Sequence, residues 1–112
     1  MRTICVDFDG VLAEPVTNWI GPHTVGQPKP GALAFIVELY KCGYRIVIFT
    51  TRANSMEGHN AVREWLHRHD FPILEVTSQK LPALLYIDDR GYRFRGSFEE
   101  AIQFVHAVAI RE

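Results

Sequence analysis

The stretch Ile4-Cys5-Val6-Asp7-Phe8-Asp9-Gly10-Val11 decides the fold class of this chain. A short apolar run of this kind indicates a buried strand, yet it ends in two carboxylates. Residues two apart on a strand project to the same face, so Asp7 and Asp9 can converge on one point. Gly10 permits a tight turn directly beyond them, with its backbone N–H exposed. This combination suits a metal ion, a phosphate group or both.

Length and composition indicate one ordinary globular domain. The chain has 112 residues, of which 47% are hydrophobic and 22% charged, and its net charge is −1. This charge gives no reason to expect nucleic-acid binding, and no apolar run approaches membrane-spanning length. The first strand starts too early for a secretory leader. We expect Cys5 and Cys42 to be buried thiols and the protein to be cytoplasmic.

Strand-like and helix-like segments alternate along the chain, which favours a parallel sheet covered by helices. The predicted strands are residues 2–8, 45–49, 73–76, 84–87 and a short edge strand at 93–95. The predicted helices run from residue 30 to 43, from 54 to about 70, and from 97 onward. Residues 13–29 have no regular periodicity, and loops of this length in compact domains are usually functional.

The sequence also indicates the buried face of the first predicted helix and the start of the other two. In the first helix, the apolar positions that follow the helical period are Leu33, Ile36, Val37 and Tyr40. Asn54 and Glu57 have the spacing of a capping box and predict the start of the second helix. Ser97 and Glu100 predict the start of the last helix in the same way.

Polar side chains follow three of the predicted strands at the point where each strand ends. They are the pairs Asp7/Asp9, Thr50/Thr51 and Asp88/Asp89. In open α/β sheets, ligands bind outside the carboxyl ends of the strands, so these pairs should meet at one edge. Two carboxylates about 4 Å apart repel by roughly 4 kcal/mol at an effective dielectric constant of 20. A cation is therefore expected here, and an all-oxygen site that handles phosphate favours Mg²⁺.

These motifs resemble, in order, those of the haloacid dehalogenase (HAD) superfamily of phosphohydrolases. Asp7-Phe8-Asp9-Gly10-Val11 is similar to the first motif, residues 46–50 to the second, and Tyr86-Ile87-Asp88-Asp89 to the fourth; Lys80 is the candidate for the third. The match covers essentially the whole chain. It implies one HAD-like catalytic domain over residues 1–112, a three-layer Rossmann-like fold with a mostly parallel sheet. Residues 13–29 stand where larger members carry a cap domain.

The resemblance implies a division of catalytic roles. Asp7 would be the nucleophile that forms an aspartyl-phosphate, and Asp9 the general acid and base. The phosphate-binding groups would be Gly10, Thr50, Thr51 and Lys80. The Mg²⁺ ligands would be Asp7, Asp9 through its backbone carbonyl, Asp88, and Asp89 directly or through another ligand.

The substrate is expected to be phosphorylated, and its identity stays open. Trp19, His23 and Arg52 are candidates for substrate contact, although Trp19 packing its loop onto the domain and Arg52 forming a surface ion pair are equally simple interpretations. Nucleic acids are an unfavoured substrate class, and a membrane partner is not expected. With no cap, the site could be closed by the 13–29 loop, a bulky substrate or a second copy of the chain.

Three other functions compete with hydrolysis. A phosphotransferase would use the same aspartyl-phosphate with an acceptor other than water. A receiver-like signalling module also uses acidic residues, Thr and Lys, but it places its acidic pair first and its phosphorylated Asp alone later. A non-catalytic phosphate-binding or metal-binding relative would be signalled by loss of Asp7 or Asp9, and both are present.

Overall fold

Apolar runs that alternate with amphipathic helices form a parallel sheet in the computed structural model, which describes residues 2–79, 81–88 and 92–111. The strands are β1 (Thr3–Asp7), β2 (Arg45–Phe49), β3 (Glu75–Thr77), β4 (Leu85–Asp88) and β5 (Tyr92–Arg93). The helices are α1 (Ala32–Lys41), α2 (Met56–Arg68) and α3 (Phe98–Arg111). One turn of 3-10 helix, Thr51–Asn54, joins β2 to α2.

The strand order is β3-β2-β1-β4-β5, and every neighbouring pair is parallel. β1 therefore lies at the centre of the sheet. The chain moves outward from β1 to β3 and then crosses back to β4, so the topological switch point lies between β1 and β4. With helices flanking the sheet, the predicted Rossmann-like α/β fold is confirmed.

One cluster of buried side chains draws on the central strand and all three helices. Ile4 and Val6 of β1 are fully buried in it. The helices contribute Ala32, Phe35, Ile36, Leu39, Val62, Trp65, Leu66, Ala101 and Val105. Phe8 joins β1 to α2, since its ring meets Trp65 edge-on at 4.9 Å. In the described part of the chain, no helix is both long and apolar enough to cross a membrane.

The two cysteines differ, which corrects the expectation that both are buried. Cys5 on β1 is 1% exposed, and burial raises the pKa of its thiol. Cys42 caps the end of α1 and is exposed. Cys42 follows the buried Leu39 by about one helical turn, a spacing that predicts burial on the same face. However, α1 ends at Lys41, so Cys42 lies beyond the packed part of the helix. Thiolate reactivity is therefore expected at Cys42 rather than Cys5.

Three local details of the sequence-based prediction are wrong. α1 buries Ala32, Phe35, Ile36 and Leu39, whereas Tyr40 is 59% exposed, because Phe35 stacks against Phe98 of α3 and sets the rotation of the helix. The cap of α2 is Ser55, whose hydroxyl accepts from the Gly58 N–H, and not Asn54. β3 begins at Glu75, and the apolar residue Ile73 before it is 93% exposed.

Residues 13–29 form a loop whose two ends are tied together. The Glu14 N–H donates to the Gln27 carbonyl at 2.8 Å, and the Lys29 N–H donates to the Leu12 carbonyl at 2.8 Å. From α2, the Trp65 indole N–H donates to the Gly26 carbonyl at 2.9 Å. The base of the loop is thus hydrogen-bonded to itself and to the core, which fixes where the loop leaves the domain.

The loop is close-packed at Gly26, in its base, and open at Gly21, further along toward its tip. A Cβ at Gly26 would lie 2.0 Å from the Glu14 carbonyl oxygen, whereas a Cβ at Gly21 would meet nothing within 4 Å. Gly26→Ala should therefore separate the two sides of the loop base and lower the free energy of unfolding by about 1–3 kcal/mol. Gly21→Ala is the matched control and should leave it within about 0.5 kcal/mol. Urea denaturation measures both, and equal values for the two variants would contradict this packing.

Candidate active site

The carboxyl end of β1 lies level with the ends of both neighbouring strands. Asp7 pairs in register with Phe49, the residue before Thr50, and Val6 pairs with Ile87, the residue before Asp88. Because neighbouring strands are about 4.8 Å apart, Asp7 lies between Thr50 and Asp88. The structure thus brings together three of the residues that the sequence predicts for the site.

The turn after β1 is held by one carbonyl group. The Phe8 carbonyl accepts from the N–H groups of Val11, Leu12 and Ala13 at 3.3, 2.9 and 3.1 Å. Gly10 adopts a φ of +84°, which favours glycine, and its N–H donates to the Ala13 carbonyl at 2.9 Å. The Gly10 N–H predicted to bind phosphate is therefore used within the turn, and a phosphate would have to displace that bond.

Asp9 is held by a buried arginine. Arg52 Nε donates to Asp9 Oδ2 at 2.7 Å, and Arg52 Nη2 donates to Asp9 Oδ1 at 2.9 Å. The Arg52 side chain is 6% exposed and the Asp9 side chain 39%. A bidentate pair of this kind fixes the direction of the carboxylate as well as balancing its charge. Arg52 is thus a buried partner of Asp9 rather than the surface ion pair or free substrate contact that the sequence suggested.

The same guanidinium holds the loop. Arg52 Nη1 donates to the Pro22 carbonyl at 3.1 Å, and Nη2 also donates to the Thr24 carbonyl at 2.9 Å. The ring of Trp19 lies over the guanidinium, with its centroid 4.5 Å from Cζ. Such a stacked cation contributes about 0.5–2 kcal/mol. Arg52 therefore connects the strand-end carboxylate Asp9 to the loop formed by residues 13–29.

No local spacing in the sequence signals this connection. Arg52 and Asp9 are 43 residues apart, and only their places just beyond neighbouring parallel strands bring them together. Once β1 and β2 are recognised as neighbours, a charged residue two positions after Thr50 becomes a candidate partner for one two positions after Asp7.

The surroundings of the other predicted phosphate-binding and substrate-contact residues differ from one to the next. Thr50 is buried, and its hydroxyl accepts from the Arg52 N–H at 3.2 Å, so it also caps the 3-10 turn. Thr51 is exposed at the start of that turn. His23 is mostly exposed, and its Nδ1 lies 4.0 Å from a Glu64 carboxylate oxygen on α2. Lys80 and Asp89 lie outside the described residues.

A pocket of about 430 Å³ opens on the loop side of the strand ends. Its walls are partly apolar and partly the ion pair just described, and its lining residues are Asp9, Pro15, Val16, Trp19, Thr51 and Arg52. Trp19 is 56% exposed and its neighbour Ile20 is 90% exposed. The tip of the loop thus presents an apolar surface beside Asp9, where a substrate could pack.

The donor set at the strand ends fits a hard divalent cation. Asp7 and Asp88 end adjacent strands at the same level, and both offer carboxylate oxygens of the kind that Mg²⁺ prefers. Among the described residues, three ligand atoms lie within 4.8 Å of one another only in the group Glu38, Cys42 and His106. That group lies on α3 and at the end of α1, which leads into the start of β2. It is therefore at the edge of the sheet where the strands begin, opposite Asp7.

Comparisons with known proteins support the fold and go no further. No family model and no curated protein matches the chain. A solved structure of a conserved protein coded by a locus from Bacteroides thetaiotaomicron is similar, with a TM-score of 0.73 over 95% of this chain and 90% of that one. The two sequences are 22% identical. This likeness shows a shared fold, and the function has to be argued from the site.

If Arg52 ties the loop to the site, removing its charge should release the loop. Arg52→Met retains most of the apolar stem but loses the hydrogen bonds to Asp9, Pro22 and Thr24. We expect limited proteolysis to cut within residues 13–29 at least about tenfold faster, as loss of roughly 1.4 kcal/mol of local stability predicts. Arg63→Met, which removes an exposed arginine from α2, should leave the cleavage rate unchanged. Equal rates for the two variants would contradict the connection.

Proposed function

We propose that this protein is a Mg²⁺-dependent, HAD-like phosphatase that hydrolyses a phosphomonoester through an aspartyl-phosphate on Asp7. The observation that carries the proposal is the position of Asp7, at the carboxyl end of the central strand, level with Asp88 and one position before Thr50. This is the edge, next to the topological switch point, where ligands bind in open α/β sheets. A second carboxylate, Asp9, follows two residues later and is held in one orientation by Arg52.

The first half-reaction transfers the phosphoryl group to Asp7. A carboxylate oxygen of Asp7 attacks phosphorus, the P–O bond to the leaving group breaks, and Asp9 gives its proton to the departing oxygen. Asp7 already accepts a hydrogen bond from the Phe8 N–H at 2.7 Å through Oδ1. This bond holds the carboxylate against the turn and limits the orientations from which its other oxygen attacks.

The second half-reaction hydrolyses the acyl phosphate. Asp9, now ionised, takes a proton from water, whose oxygen attacks phosphorus and releases inorganic phosphate. Asp7 returns to its starting form. Thr50 contributes a buried hydroxyl at this edge, where a phosphoryl oxygen can accept from it.

The contacts of Asp9 favour its role as a base in the observed conformation. Both of its carboxylate oxygens accept from Arg52, and a carboxylate that accepts at both oxygens is the form that receives a proton. Protonating a leaving group requires one oxygen to turn from Arg52 toward the substrate. We infer that substrate binding on the loop side, next to Trp19, shifts this pair.

Mg²⁺ would be held by Asp7, by the backbone carbonyl of Asp9 and by Asp88, with Asp89 as a further candidate. When bound, it would neutralise charge on the phosphate and on the carboxylates that face it. The rest of the assignment concerns residues of the chain itself: Asp7 attacks, Asp9 moves the proton, and Thr50 binds the phosphoryl group. A cytoplasmic location belongs to the same proposal.

Replacing the nucleophile should abolish turnover and preserve the fold. Asp7→Asn should reduce Mg²⁺-dependent release of phosphate from an aryl phosphate by roughly a thousandfold or more. Asp70→Asn is the matched control, since Asp70 follows α2 at a φ of 66°, which Asn tolerates, and it should keep full activity. Circular dichroism checks the fold of both variants. Undiminished turnover by a folded Asp7→Asn variant would contradict the mechanism.

Replacing the acid should affect poor leaving groups most. Asp9→Asn should slow hydrolysis of an alkyl phosphate by about a hundredfold to ten-thousandfold, because its alkoxide needs a proton to leave. With a nitrophenyl phosphate the loss should be smaller, because that leaving group departs without protonation. Rates for the two esters, measured with the same enzyme preparation, provide the test. If both fall by the same factor, Asp9 is not the acid.

A further inference from the structure

A second pocket opens on the other side of the turn that follows β1. It has a volume of about 540 Å³ and is lined by Gly10, Lys29, Phe94, Arg95 and Gly96. Gly10 directly follows Asp9, so this pocket begins next to the candidate catalytic residues. The loop-side pocket is lined by Asp9 and by none of the residues that line this second pocket. A substrate whose phosphate lies at Asp7 therefore has two separate directions in which its remaining atoms can extend.

The second pocket lies at the topological switch point. One wall comes from the turn after β1 and from the end of the 13–29 loop, and the other from the segment that follows β5. The Phe94 N–H donates to the Asp88 carbonyl at 3.3 Å, which joins that segment to the end of β4. The order in which the chain adds strands to the sheet reverses between β1 and β4. This is therefore the crevice where α/β folds bind ligands.

The backbone fixes the position of Lys29 on the first wall. Its N–H donates to the Leu12 carbonyl at 2.8 Å, and its carbonyl accepts from the Ala32 N–H at 3.0 Å. Its ammonium lies 5.7 Å from the centre of the Phe94 ring on the other wall. In the described part of the chain, no carboxylate lies within 4.0 Å of this ammonium. Lys29 is therefore a positioned cation that spans the pocket.

Among the residues that the structure describes, the lining carries two positive charges and no carboxylate. Arg95 lies on the second wall, 73% exposed, and its only described ionic partner is Glu100 at 3.9 Å, a loose contact at the surface. Arg52, in contrast, is buried and its donors are committed to Asp9 and to two loop carbonyls. Of the cations described near Asp7, those available to a ligand thus lie on the β4 side.

We propose that Lys29 and Arg95 bind a second anionic group of the substrate, so that the preferred substrate is a phosphomonoester that carries another phosphate or a carboxylate. This inference rests on the proposed phosphatase function. One phosphate lies at Asp7 and is hydrolysed. The second anion lies between Lys29 and Arg95 at the switch point and is retained in the product.

The test compares three phosphate esters whose leaving groups share a three-carbon alkyl chain. They are propyl phosphate, the phosphate ester of hydroxybutyrate and the bisphosphate of propanediol, which carry no second anion, a carboxylate and a phosphate. We expect KM to be about tenfold lower for the preferred ester with a second anionic group than for propyl phosphate, as one charge-assisted contact predicts. The advantage should shrink at high ionic strength, because Arg95 is exposed.

Variants locate the effect. Lys29→Met keeps the stem against Phe94 and should remove most of the advantage, because the second anion loses its contact with the ammonium. Lys41→Met removes an exposed lysine at the far end of α1 and should change nothing. Glu100→Gln removes the carboxylate that faces Arg95 and should lower KM further for the preferred ester with a second anionic group. Equal KM values for all three esters, or a Lys29→Met variant with the advantage intact, would overturn the proposal.

A binding measurement separates this inference from the proposed function. Calorimetry with the bisphosphate of propanediol and the Asp7→Asn variant reports binding without hydrolysis. Binding that Lys29→Met weakens about tenfold in that background supports the pocket even if the native chain releases no phosphate, which would sink the phosphatase proposal alone. Turnover of propyl phosphate with no contribution from Lys29 to binding would sink the pocket alone.

Discussion

The parallel pairing of β1 with a neighbour on each side is the constraint on which the rest of the structure depends. It puts Asp7 at the centre of the sheet edge, level with Asp88 and one position before Thr50, residues that are far apart in the chain. Ile4 and Val6 are fully buried in the core cluster, and a slip of one position would move them to the opposite face of the sheet. Hydrophobic burial thus sets the positions of the carboxylates.

Arg52 extends this order to the loop. A guanidinium has five donors in a fixed plane, and here they reach Asp9 on one side and the Pro22 and Thr24 carbonyls on the other. Removing the Arg52 guanidinium from water would be costly without these contacts. The loop carbonyls reduce that cost, and the loop in turn gains a fixed point beside the site. Lysine, with a compact ammonium, could not satisfy both sides at once.

Much of the fold follows from sequence because local patterns and burial agree along β1, β2 and β4. The errors occur where tertiary packing decides: the rotation of α1 depends on Phe35 meeting Phe98, and the exposure of Cys42 depends on where α1 ends. In the site, Asp7, Thr50 and Asp88 follow from the rule that parallel strands share an edge. The Arg52–Asp9 pair does not, since its geometry depends on how a loop of irregular sequence folds back.

For the proposed phosphatase, substrate affinity has to come from the rim of the site itself. Binding energy from parts of the substrate away from the reacting phosphate is what orients that phosphate for attack. On the loop side the rim is apolar, with Trp19 and Val16, and its cation is already paired with Asp9. On the β4 side it is cationic, with Lys29 and Arg95. A substrate with a second anion can therefore gain affinity from Lys29 and Arg95, whereas binding that anion on the loop side would compete with Asp9 for Arg52.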